Sequence, residues 1–348
     1  MTLSQPWDLL SGAARGYAAF TGIAGPDQGA RSLPFGVLTG PPSAAGTERN
    51  LTVMDNRNEI RDFLTSRRAR ITPEQAGLPA YGGNRRVAGL RREEVAMLAG
   101  VSVDYYTRLE RGNAHGASES VLEALARALH LDEAERAHLF DLARAASPAA
   151  RAPRRPAGQQ VRPSVQRILD SMTTTPAYVR NGRMDILAAN RLGQALFSPI
   201  LTSPAQPANA ARFLFLDPGA PQFYLDWERQ ARDTVAILRS EAGRNPHDQA
   251  LSGLIGELST RSEIFRTWWA AHNVRFHRTG VKRFHHPVVG DLTLAFEALD
   301  LAADEGLRVS AYTAEPGTPS ADGLNLLASW AATLEAAGSA PGQPGQAR

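Results

Sequence analysis

Apolar residues recur at helical spacing from residue 56 to about residue 146, and only beyond residue 175 does alternation of strand type enter the chain. Ile60, Phe63 and Leu64 make one helical stripe, and Val95, Leu98 and Ala99 make a second. Val121, Leu122, Leu125 and Leu129 continue the pattern, with Ser118 placed to cap a helix before Glu119. "DEAE", Asp132 to Glu135, has the form of a capping box opening a last helix that buries Leu139, Phe140 and Leu142. The expectation is a compact all-α bundle of five helices over residues 54–146.

The flanks carry no such pattern. Residues 1–53 hold Gly, Pro, Ala and Ser without periodicity, which predicts a disordered extension; Met54 as the true start is the alternative. "SPAARAPRRPAGQQVRP", Ser147 to Pro163, concentrates proline and arginine without an apolar stripe, so residues 147–160 read as a linker. After it, "PAYVRNGRMDILAAN" places Asn181-Gly182 between two short β-like runs, a signal for a tight hairpin whose turn needs positive φ. Two helical stretches follow, "FYLDWERQARDTVAILRS" and "ALSGLIGELSTRSEIFRTWWAAH". Next come three strand-like runs broken at Gly290-Asp291 and Asp304-Glu305-Gly306, then a last helix from Ser320. Residues 161–335 are therefore expected to form an α+β domain with a small antiparallel sheet of about five strands and helices packed on one side. Residues 336–348 read as a disordered Gly/Pro/Gln tail.

Composition narrows the class. The 348 residues are 43% hydrophobic and 21% charged, enough for two domains with real cores. The absence of cysteine excludes a disulfide framework or a thiolate metal site and fits a reducing cytoplasm. No apolar run approaches the ~18 residues of a membrane span, and the first 20 residues lack the form of a secretory signal, so a cytoplasmic protein without membrane contact is expected. A formal charge of +3 does not by itself establish a polyanionic partner. Lys282 is the only lysine, so nearly all positive charge is guanidinium.

The most informative stretch is "LRREEVAMLAGVSVDYYTRLERG", Leu90 to Gly112. Ala96 and Ala99 are small where two helices would cross, Gly100 suits a left-handed helix end, and Ser102 suits the N-cap of the next helix. Val95, Val101, Tyr106 and Leu109 would then face a shared core, leaving Val103, Asp104, Tyr105, Thr107 and Arg108 outward. That is helix-turn-helix geometry, with the second helix offered to the major groove of a DNA operator. Arg108 has the fork for guanine O6 and N7, and Asp104 can accept from cytosine N4. Ser102, Val103, Tyr105 and Thr107 complete the base-facing end, while Arg92 at the start of the preceding helix would meet a phosphate. Arg85, Arg86 and Arg91 add sequence-independent attraction. Glu110 is placed to pair with an arginine of the first helix, such as Arg68.

"GLRREEVAMLAGVSVDYYTRLERG" resembles the DNA-binding half of XRE-family helix-turn-helix regulators of actinobacterial type. "PAYVRNGRMDILAAN", "WERQARDTVAILR", "HNVRFHRTGVKRFHHPVVGDLTLAFEAL" and "VSAYTAEPGTPSADGL" resemble the MmyB-like ligand-binding domain, a PAS-like fold. The resemblance spans residues 56–335. It implies a transcriptional regulator that senses a small molecule, with a fatty-acyl or other apolar compound as the expected class. A homodimer is expected because one short recognition helix reads too few base pairs for genomic specificity.

Other constellations are weaker. Tyr178, Ile186, Phe296 and Tyr312 could line a cavity between sheet and helices, although alternating apolar residues are what any core shows. Trp268 and Trp269, with Phe265 and Phe276, form the densest aromatic cluster; adjacent tryptophans cannot face one way along a helix, so one is expected in the core and the other at a pocket or partner. His272, His277, His285 and His286 lack metal-ligand spacing, and "GNAHGA" lacks a phosphate-loop context, so neither metal nor cofactor is expected. No nucleophile, base and orienting group recur together, and Glu93-Glu94 reads as a solvated face, which argues against an enzyme. The rivals are a DNA-localised enzyme and a regulator whose C-terminal domain serves only dimerisation.

Overall fold

The computed structural model describes residues 56–79, 87, 89–146, 160–203, 206–275 and 278–339. The expected extension 1–53, almost all of the linker, the end of the tail, Arg85, Arg86, Phe276 and His277 lie outside the described residues.

Five helices precede the linker: α1 (Asn56–Arg70), α2 (Arg92–Ala99), α3 (Val103–Glu110), α4 (Glu119–Ala128) and α5 (Glu133–Ala145). Their apolar stripes meet in one core that seals Phe63, Leu64, Leu90, Val95, Tyr106, Leu109, Leu125 and Leu139. Local chemistry sets the boundaries. Ser118 accepts from the Val121 amide, and Asp132 and Glu135 exchange capping bonds at the start of α5. Not every expected core residue is sealed: Phe140 is half-buried, with Arg136 over its ring at 5.0 Å. Leu98 is exposed, because the crossing with α3 and α4 is made by Val95, Ala96 and Ala99, whose small side chains let the backbones approach.

After the linker come α6 (Pro163–Ser171), β1 (Ala177–Arg180) and β2 (Ile186–Ala189), followed by the short helices α7 (Arg191–Leu196), α8 (Ser198–Leu201), α9 (Ala210–Leu216) and α10 (Ala220–Phe223). The long α11 (Trp227–Arg244) leads to α12 (Gln249–Arg261) and α13 (Glu263–Trp269). The chain closes with β3 (Thr279–His286), β4 (Gly290–Asp300), β5 (Arg308–Thr313) and α14 (Pro319–Ser339). The five strands form one antiparallel sheet in the order β2-β1-β5-β4-β3. Strict alternation in β4 sends Leu292, Leu294 and Phe296 to the covered face, where they pack with Phe197, Phe223, Phe284, Tyr312 and Leu327.

Two sequence expectations change. Helices do not lie on one side only: α6 covers part of the opposite face, where Val165 and Leu169 bury Val179, Ala188 and Val309. A four-residue strand with every position buried needs cover on both faces, and β1 is such a strand. The hairpin between β1 and β2 is also not the expected two-residue turn. Its left-handed residue is Met184 (φ 69°), and the loop is closed by Asn181, whose side-chain amide donates to Asp185 at 2.8 Å and whose side-chain oxygen accepts from the Asp185 amide at 3.0 Å. Gly182 is needed for space instead, since a Cβ there would collide with the Glu241 side chain.

The two regions are joined by α11, which packs against α5. Arg239, 1% exposed, donates to Glu59 of α1 at 2.5 Å and lies 2.9 Å from His272 Nδ1. Arg67 of α1 donates to the His272 carbonyl at 2.5 Å and ion-pairs with Glu135 at 2.9 Å. Val274 inserts its side chain into the core of the helical bundle. Among the described residues, no helix is long and apolar enough to cross a membrane.

Candidate nucleic-acid interface and ligand site

Helix α2 ends at Gly100 in the left-handed conformation (φ 65°), a geometry that costs a residue with a Cβ. The chain then turns into α3, where the Ser102 hydroxyl accepts from the Tyr105 amide at 3.1 Å. Tyr106, Leu109 and Glu110 are the buried residues of α3. Ser102, Val103, Asp104 and Arg108 are exposed, and Tyr105 and Thr107 are half-buried. Arg108 lies over the Tyr105 ring at 4.8 Å, so its guanidinium is held out from the helix by a cation–π contact.

Behind this face Glu110, 1% exposed, joins three helices. It accepts from Arg68 Nε of α1 at 2.6 Å and from Arg92 Nε of α2, and the Tyr106 hydroxyl lies 3.4 Å away. Arg68 also donates to the Leu90 carbonyl at 2.8 Å. Burial and the neighbouring Glu110 carboxylate push the Tyr106 phenol far above its ordinary range. The Arg92 side chain is 48% exposed while anchored to Glu110, which raises its pKa. Arg92, expected to face a phosphate, is thus an arginine already held in place by a buried carboxylate.

In the C-terminal region the expected ligand residues separate. Tyr178, Ile186, Phe296 and Tyr312 are all buried in one cluster. Tyr178 and Tyr312 stack at 6.1 Å with hydroxyls 3.3 Å apart, and Phe197 packs on both at 4.9 and 5.1 Å. Trp268 packs against the edge of this cluster, whereas Trp269 packs only against the neighbouring one around Phe265. Trp268 stands beside Trp227 at 6.2 Å under Arg232, and Trp269 stacks on Phe265 at 5.6 Å under Arg239. Both are half-buried, so neither fills the core; neighbouring positions about 100° apart on α13 send them to two different arginines of α11.

Two histidine sites were not foreseen. His138 is 2% exposed with neither ring nitrogen bonded, edge-on to Phe63 at 5.1 Å, and burial together with Arg239 and Arg67 lowers its pKa to about 3. His272 sits in the joint between the two regions, where burial and Arg239 lower its pKa to about 4. His285 bonds Asp291 at 2.6 Å, and His286 bonds the Ala195 carbonyl at 3.1 Å, so the histidines read together in the sequence are dispersed.

Residues 61–139 match the family model of a helix-turn-helix domain, and residues 161–327 match that of the MmyB-like transcription regulator ligand binding domain. The chain is a helix-turn-helix regulator with an MmyB-like domain. No curated protein matches it closely enough to count as a relative. The helix-turn-helix match contains α2 to α4 and most of α1 and α5, so the exposed face of α3 belongs to the DNA-binding part of the regulator. The MmyB-like match contains the sheet, α11 and the aromatic cluster, which makes this the ligand-binding part.

Proposed function

We propose that the regulator, of XRE type, binds a DNA operator as a homodimer with α3 in the major groove, and that a small-molecule effector in the C-terminal domain sets operator affinity. The carrying observation is the two-sided character of α3: Tyr106, Leu109 and Glu110 are locked in the core, while Val103, Asp104 and Arg108 are exposed on the other side. In this reading Arg108 grips a guanine, Asp104 discriminates at cytosine, and Ser102, Val103, Tyr105 and Thr107 lie along the groove edge. Arg92 contributes a phosphate contact positioned by Glu110.

The route from effector to DNA is α11. One helix carries Ala231 in the aromatic cluster on the sheet and Arg239 at Glu59 of the DNA-binding bundle, so a shift of α11 against that cluster reaches α1 directly. An acyl or other apolar body would enter by parting Tyr178, Phe197 and Tyr312, whose rings close on one another. That closed packing favours one rival, a C-terminal domain serving dimerisation alone.

The test is selection of duplexes from a random pool by the full chain, followed by sedimentation of the complex. A palindromic site bound by two copies supports the proposal. Binding with no sequence preference removes it.

A further inference from the structure

Arg108 stands between two neighbours on its own helix. At about 100° per residue, Asp104 lies about 40° to one side of it and one turn back, and Tyr105 lies about 60° to the other side. Residues three and four apart meet on a helix surface, and a carboxylate four positions before a guanidinium is the favourable order for an ion pair. That spacing does close elsewhere in this chain: Glu228 pairs with Arg232 at 2.7 Å, and Glu257 with Arg261 at 3.0 Å. Asp104 and Arg108 do otherwise. Among the described residues they form neither a hydrogen bond nor an ion pair with each other, and the Arg108 guanidinium lies over the Tyr105 ring at 4.8 Å.

The two contacts would leave the arginine in different states. A carboxylate occupies the N–H edge of the guanidinium, which is the edge that grips guanine O6 and N7. An aromatic ring takes the flat face and leaves that edge available. The carboxylate is affected in the same way, because oxygens engaged by Arg108 could not accept from cytosine N4. Tyr105 makes a firm platform for this contact. It is half-buried, it packs on the core of the helical bundle, and its backbone amide donates to the Ser102 hydroxyl at 3.1 Å.

We propose that Tyr105 is a positioning residue for sequence reading: its ring holds Arg108 away from Asp104, so that two opposite charges on one helix face act on base edges rather than on each other. This role rests on the reading of α3 as the groove-entering helix, and it implies a coupling. The guanine read by Arg108 and the cytosine read by Asp104 lose discrimination together when the ring is removed.

The test uses the full chain and the operator selected from a random duplex pool, titrated beside duplexes changed at one base pair. Tyr105→Leu keeps an apolar side chain against the bundle and removes the aromatic face. It should lower discrimination at the guanine and cytosine positions by roughly tenfold each. Tyr105→Phe keeps the ring and should retain the preferences that Tyr105→Leu loses. The deciding variant combines Tyr105→Leu with Asp104→Asn: with no carboxylate to capture it, Arg108 should recover its guanine preference while the cytosine preference stays lost. Denaturant unfolding of each variant identifies a folding defect, which weakens every duplex alike. The proposal is overturned if Tyr105→Leu weakens all duplexes equally, if it changes preference only at a third position, if Tyr105→Phe loses as much as Tyr105→Leu, or if Asp104→Asn restores nothing. Arg108→Ala separates this role from the reading beneath it. If Arg108→Ala flattens the guanine position and Tyr105→Leu does not, the role of Tyr105 falls alone; if Arg108→Ala leaves every preference intact, the docking of α3 falls with it.

Discussion

Glu110 and Arg180 are both ionisable groups sealed inside their own domains, and their surroundings are opposite. Glu110 receives two guanidinium groups, from Arg68 and Arg92, which tie α1, α2 and α3 together. Arg180 donates to a single backbone carbonyl, and the cation Arg308 acts on it against the pull of Glu241. A compensated buried charge holds a fold in one arrangement, whereas an uncompensated one stores a cost that a ligand of opposite sign can remove. The pairing state of a buried group is thus a guide to how much its surroundings depend on its charge.

The contrast breaks most visibly at Glu110. Replacing Glu110 by Gln leaves Arg68, 13% exposed, without its carboxylate, and removing one partner of a buried pair costs about 3–5 kcal/mol. Thermal and denaturant unfolding of the full chain should register that loss. A change below about 1 kcal/mol would mean that the hub is decoration rather than structure.

The joint between the domains should show a comparable effect under acid. His138 and His272 have pKa values lowered to about 3 and about 4 in the folded chain, against about 6.5 when unfolded. Unfolding therefore takes up protons below pH ~6.5, so this stability is complete above that pH and is lost as pH falls toward 4 and then 3. Each imidazole contributes a slope of up to about 1.4 kcal/mol per pH unit in that window. His138→Leu should flatten the pH dependence of unfolding by one proton. It should cost little at pH 7, since neither ring nitrogen of His138 has a bond to lose. An unchanged slope would show that His138 is protonated in the folded chain.

These cases also explain what could be read in advance. The helix-turn-helix was legible because its signals are local: Ala96, Gly100, Ser102 and Tyr106 fall within a dozen residues, and a helix period converts their spacing directly into faces. The partnership of Glu110 with Arg68 followed from the same geometry. Lys282 and Tyr312 are 30 positions apart by number and meet only through the registers of β3, β4 and β5, which no single segment encodes. Lys282 was conspicuous as the sole lysine, but its meaning depended on what its neighbours lacked. The surroundings of the tryptophans were hidden for a related reason. Aromatic density in the chain suggested a pocket, while the arginines that engage Trp268 and Trp269 belong to a different helix.

At the DNA face, smaller effects should separate reading from anchoring. Arg108→Ala should cost about 1–3 kcal/mol on the selected operator and flatten preference at one base position. Arg92→Ala should weaken all duplexes alike and lower the salt slope by about one unit, together with a loss of stability because Glu110 loses a partner. Titrations against cognate and single-base-changed duplexes at several salt concentrations distinguish the two. Equal weakening of every duplex by Arg108→Ala would move base reading elsewhere on α3.

The smallest expected change is the sharpest test of the opening contrast. Arg180→Met keeps an unbranched apolar stem in the same place and removes a cation that has no carboxylate partner. The lost bond to the Asn181 carbonyl is worth about 1 kcal/mol, and the relieved burial of charge acts in the opposite direction. Unfolding free energy should therefore stay within about 1 kcal/mol of the parent or rise, in contrast to the several kcal/mol lost at Glu110. The relief has a second reading: with Arg180 gone, one of the cations that depress Lys282 is gone too, so its titration midpoint should move up from about 7. A large destabilisation with no movement of Lys282 would mean that Arg180 is compensated after all, and that the two buried groups differ in position rather than in kind.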